Sequence, residues 1–104
     1  MMYLNYLAVF MDKAVMDERI GSSHICLFVA LYRCWLSKLP ATPFPISRRV
    51  LMINSKIAST STYHKCIQEL NDFGYIRYEP SFHPREGSKV YFIRQYRSSA
   101  NSID

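Results

Sequence analysis

Apolar residues recur at spacings of three and four in successive stretches of this chain, then give way to alternation near its end. Residues 2–18 carry a stripe of Leu4, Leu7, Met11 and Val15, widened by Tyr3, Tyr6, Phe10 and Ala14; that spacing predicts a helix. Gly21 suits its C-terminus, because a left-handed backbone costs glycine little. Ser22 or Ser23 then caps a second helix running to about Lys38. In it Ile25, Phe28, Leu31 and Trp35 face one way, with Leu27, Cys34 and Leu36 beside them. A helix apolar almost all round predicts a central, buried position. Pro40, Pro43 and Pro45 break the pattern, since proline fixes the backbone and removes a donor. Phe44–Ile46 reads as a very short edge strand.

Ser47 caps a short helix from Arg48 to about Asn54, with Val50, Leu51 and Ile53 as its buried side. Ile57 and Ala58 fill a tight corner. Ser59 or Thr60 caps a longer helix that continues to Phe73, with Tyr63, Cys66, Ile67, Leu70 and Phe73 facing the core. Its opposite face carries Ser61, Thr62, His64, Lys65 and Gln68. Gly74 ends that helix. The period then changes to the alternation of strands, in residues 75–79 and 90–94, joined by a loop (80–88) too long for a tight hairpin. Two helices, a corner and a strand pair in this order predict a helix-turn-helix with a β-wing. The expected fold is mainly α with a small β-wing (α+β), a winged helix-turn-helix of about four helices and a two- to three-stranded antiparallel sheet. Residues 1–97 form one domain, and the small polar tail 98–104 is expected to fray.

Charge sharpens this picture. The net charge is +5, and no Asp or Glu occurs between Arg19 and Gln68, an interval holding Arg19, Arg33, Lys38, Arg48, Arg49, Lys56 and Lys65. A basic middle that coincides with the helix-turn-helix suits a polyanion. The three cysteines, Cys26, Cys34 and Cys66, are odd in number and placed on apolar helical faces, which suits free thiols in a reducing compartment. The run Ile25–Trp35 is interrupted by Arg33 and is shorter than the ~20 residues a bilayer span needs, so no membrane association is expected. With no basic region before an apolar stretch at the N-terminus, no signal peptide is expected and the protein is placed in the cytoplasm. The stripe of the first helix is broader than one core contact requires. It is the candidate contact for a homodimer; the competing reading is that the domain's own core covers it.

The chemistry of the exposed residues is that of nucleic-acid contact. A recognition helix brings its first turn nearest the base edges, here Thr60, Ser61 and Thr62, then His64 and Lys65. Lys65 can reach a guanine edge or a phosphate, and Gln68 can pair with adenine. Arg48, Arg49 and Lys56 would meet the backbone of the duplex, positioning the protein more than specifying sequence. In the wing, His83, Arg85 and Lys89 would reach a phosphate or the minor groove. Catalytic patterns are missing. His24 and Cys26, like His64 and Cys66, are two apart on helices and point in different directions, so Cys26 and Cys66 read as core fillers. There is no metal-ligand spacing, glycine-rich phosphate loop or nucleophile elbow. A non-enzyme without cofactor is expected.

The run Ser59-Thr60-Ser61-Thr62-Tyr63-His64-Lys65-Cys66-Ile67-Gln68-Glu69-Leu70-Asn71-Asp72-Phe73-Gly74-Tyr75-Ile76 resembles winged helix-turn-helix transcriptional regulators. Hydroxyl residues open the helix, a Leu stands four before a Gly, and an apolar pair starts the first wing strand. The chain also resembles small winged-helix proteins of bacterial mobile elements. The resemblance implies that Ser61, Thr62, His64, Lys65 and Gln68 face double-stranded DNA, in a transcriptional regulator or a replication or excision accessory factor. It departs from the family in having one Lys or Arg in the first half of that helix and a long, proline-containing wing. The competing expectation is a protein-interaction module that keeps the fold without binding DNA.

Overall fold

The computed structural model describes residues 2–38, 43–81 and 87–93, with side chains in the first helix from Tyr6 onward. Four helices and three short strands follow in the order α1 (Met2–Ala14), α2 (Ser22–Ser37), β1 (Phe44–Pro45), α3 (Arg48–Ser55), α4 (Thr60–Asp72), β2 (Ile76–Glu79) and β3 (Lys89–Phe92). The strands form one antiparallel sheet in the order β1-β3-β2. Phe44 pairs with Val90, and Ile76 with Phe92. This is the expected mainly helical α+β layout with a small wing-like sheet. The tail 98–104, the wing tip 82–86 and the side chains of Tyr3 and Leu4 lie outside the described residues.

Alternation along the sheet puts Val90 and Ile76 in the core with Phe44, while Arg77 and Lys89 face out. Phe92 is a hub of the aromatic packing, with the rings of Tyr6, Phe28, Trp35 and Phe44 all within 5.5 Å of its centroid. Helix α1 closes this core from outside. Phe10 stacks on Phe28 at 3.8 Å and meets Tyr75 edge-on at 5.2 Å; Tyr6 meets Trp35 edge-on. Tyr6, Leu7, Phe10, Met11 and Ala14 of the α1 stripe are therefore packed against the domain's own core.

Several sequence expectations need correction. Helix α1 stops at Ala14, and Val15 lies 71 % exposed instead of completing the stripe. Asp17 accounts for the early stop: it accepts the Arg19 backbone N–H at 3.0 Å and the Tyr75 hydroxyl at 2.8 Å, and so turns the chain toward α2. Gly21 does not end α1; it caps α2, its N–H donating to His24 Nδ1 at 2.9 Å. Helix α2 is not buried all round: Cys26, Val29, Arg33 and Leu36 are exposed along one stripe. Cys26 is thus a surface thiol, while Cys66 is buried as expected. In α3 only Leu51 of the three expected core residues is buried; Val50 and Ile53 face solvent.

Helix α4 is held from both sides. Because His24 Nδ1 accepts from Gly21, the imidazole proton sits on Nε2, which donates to Glu69 Oε1 at 2.8 Å. The first turn of α2 is thereby tied to the last turn of α4. At the end of α4, Asn71 Oδ1 accepts the Tyr78 N–H at 2.8 Å and joins the helix to β2.

Candidate nucleic-acid interface

Two capped helix starts and the corner between them build the candidate surface. Ser47 Oγ accepts the Val50 N–H and Ser59 Oγ accepts the Thr62 N–H, each at 3.3 Å, as the sequence predicted for α3 and α4. Neither helix has an acid in its first turn. Arg48 and Arg49 instead open α3, where positive charge opposes the helix dipole. An incoming anion would relieve that local conflict.

The corner between the helices turns on Lys56. Its φ of 64° places a lysine in the left-handed region, the one non-glycine residue with positive φ among those described. Its N–H reaches Ile53 O at 3.3 Å, and the Ile57 N–H reaches Met52 O at 3.1 Å. With Ile57 buried beneath the corner, the Lys56 side chain is left exposed beside the two arginines. Arg48, Arg49, Lys56 and Thr60 line one open groove of about 570 Å³, floored by Met52, Ile53, Ile57 and Ala58. Among the described residues none of these three cations has a carboxylate within ion-pair distance.

On α4, Tyr63, Cys66, Ile67 and Leu70 are buried, while Ser61, His64, Lys65 and Gln68 are exposed at helical spacing. Thr62, expected on that outer face, is half-buried. Ser59 and Ser61 hydroxyls lie 2.9 Å apart at the helix start. The Gln68 amide already donates to Asp72 Oδ1 at 3.1 Å, so pairing with a base would first break that bond. Asp72 continues the same exposed stripe, an acid among the candidate contacts that residue type alone does not place there. Its charge would disfavour a phosphate at the C-terminal end of α4.

Lys89 is exposed on β3, opposite Glu79 in register, so its charge is partly answered within the sheet. His83 and Arg85 lie outside the described residues. The sequence-predicted residues thus divide into a cation-lined groove, an outer stripe on α4 and an isolated lysine on the sheet.

Burial pushes the Tyr63 hydroxyl up to about 12, opposed by the nearby Arg48 charge. Burial likewise raises the Cys66 thiol, reinforced by the charge of Glu69. Both changes favour the unreactive, protonated form. Among the described residues no group of three or more His, Cys, Asp or Glu could hold a metal ion, and no helix is long and apolar enough to cross a membrane. No family model, curated protein or solved structure matches the chain.

Proposed function

We propose that this chain binds double-stranded DNA, laying α4 in the major groove with Arg48, Arg49 and Lys56 on the adjoining backbone. The observation that carries this reading is the two-sidedness of α4 beside an acid-free groove. Its core face is anchored through Tyr63, Cys66, Ile67 and Leu70, and its outer stripe of Ser61, His64 and Lys65 is open. Backbone contacts of this kind supply most of the affinity and orient the helix, while the outer stripe reads base edges. Such a protein would act in the cytoplasm as a transcriptional regulator or as an accessory factor in replication or excision.

The test is duplex binding over a salt series. Each phosphate neutralised should add about −0.9 to the slope of log affinity against log salt. Replacing Arg48, Arg49 and Lys65 with Ala should flatten the slope by about three contacts and weaken every duplex alike. Unchanged binding by that variant would remove the proposed docking face. A second reading, a protein-interaction module, draws on a specific observation: Ile53, in the floor of the groove, is 61 % exposed, more than a phosphate contact needs. Salt-insensitive capture of protein with no duplex binding would favour it.

A further inference from the structure

Of the acids among the described residues, most are engaged within the chain. Asp17 holds Arg19 and Tyr75, Glu69 holds His24, Asp72 holds Gln68, and Glu79 faces Arg77. Asp12 and Glu18 are exposed and have neither hydrogen bond nor ion pair. They flank Val15 and Met16, which are 71 % and 82 % exposed, so the end of α1 presents an apolar knob between two unanswered carboxylates. The groove at α3 and α4 presents the opposite surface: an apolar floor with Ile53 exposed, between three unanswered cations. Lys13 is the basic neighbour of the knob that no carboxylate occupies; Arg19 is spent on Asp17.

The two surfaces cannot meet within one molecule. The knob is fixed near the C-terminal end of α4, where Asp17 bonds to Tyr75 and the Arg19 guanidinium lies over the Phe73 ring at 4.1 Å. The groove is at the N-terminal end, at Ala58 and Thr60. Helix α4, thirteen residues long, separates them by roughly 20 Å.

We propose that the α1 knob of one copy docks in the α3–α4 groove of a second copy, with Val15 and Met16 on the apolar floor and Asp12 and Glu18 toward Arg48, Arg49 and Lys56. Knob and groove are different patches, so the contact is head to tail and adds copies without closing a two-fold dimer. A contact resting on two apolar side chains and a few charges is weak and dependent on concentration. The contact goes beyond the DNA reading and does not require it.

The experiment is sedimentation of the full chain without DNA over a range of concentrations. The native chain should gain weight-average mass with concentration and lose that gain in high salt. The double variant Val15→Ser, Met16→Ser and the single variant Ile53→Ser should each associate about tenfold or more weakly. All three positions are exposed, so thermal midpoints should stay native and exclude unfolding as the cause. Mixed together, the two variants should recover one contact and stop at a heterodimer, since each supplies the surface the other lacks. A native mass that never rises with concentration, or a mixture that stays monomeric, overturns the proposal. Duplex binding in dilute protein, where the native chain is monomeric, is measured separately and should be unchanged in the knob variant. Its failure in every form would end the DNA reading and leave the sedimentation result standing.

Discussion

Helices α3 and α4 close with the same pair of backbone hydrogen bonds, yet with different residues at the turning point. At α4, the Gly74 N–H reaches Asn71 O at 3.1 Å and the Tyr75 N–H reaches Leu70 O at 2.9 Å, with φ of 88° at the glycine. At α3, Lys56 takes the place of the glycine and Ile57 that of the tyrosine. Glycine reaches this conformation freely; a lysine there costs roughly 1–2 kcal/mol, offset in small part by its charge at a helix C-terminus. The residue beneath differs too. Leu70 is fully buried, whereas Met52 is half-buried and lines the groove. The end of α4 is built to pass the chain into the sheet. The end of α3 carries a strained backbone residue and leaves a cation on the surface.

Truncation should separate the two ends most strongly. Leu70→Ala should destabilise the fold by about 2–5 kcal/mol, and Met52→Ala by less, as read from urea midpoints. Similar losses from both would erase the distinction between a structural and a surface ending. Alkaline pH should reach the end of α4 through a buried hydroxyl, because Tyr75 follows Gly74, whereas an isoleucine follows Lys56. Burial, with the hydrogen bond to Asp17, pushes the Tyr75 hydroxyl from its ordinary 10 up to about 12. Its contribution is fully present below about pH 10 and is lost as pH rises through about 12. Burial raises Tyr63 over the same window. Tyr75→Phe should therefore remove part of the alkaline loss in unfolding midpoint and leave the Tyr63 part. An unaltered pH profile would mean that the Tyr75 hydroxyl is not held as described.

Gly74→Ala should cost about 1–2 kcal/mol by forcing a side chain into the left-handed region. Lys56→Gly should move the other way, stabilising by about 1 kcal/mol. It should also lower the salt slope of duplex binding by about 1. A glycine that improved both stability and binding would deny Lys56 its proposed role at the DNA backbone.

Much of α3, α4 and their corner was legible because local chemistry sets it. Ser47 and Ser59 are strong caps, Gly74 permits the terminal turn, and Tyr63, Cys66, Ile67 and Leu70 share one face at helical spacing. The errors arose where geometry or distant partners decide. Residues 50, 51 and 53 cannot share one face: at 100° per residue Val50 and Ile53 are neighbours and Leu51 points away from both. Packing on α2 chose Leu51 and left the other two outside. The early end of α1 depends on a hydrogen bond from Asp17 to Tyr75, 58 positions away, which no local pattern announces. The Gly21–His24 cap was missed because imidazole replaces the usual Glu or Gln of a capping box. Of the candidate interface, the residue types were legible. The meeting of Arg48, Arg49, Lys56 and Thr60 in one groove required the fold.

The two borders of the sheet carry a separate lesson. Strand β1 is two residues long and one of them is Pro45, which has no N–H to offer a neighbour. On the far border, the Tyr78 N–H of β2 is occupied by the Asn71 side chain. A foreign strand thus finds few free backbone groups to zip onto, and fibril-like growth is discouraged from both directions. Among the described residues, edge-to-edge pairing of sheets is thus a poor route to association.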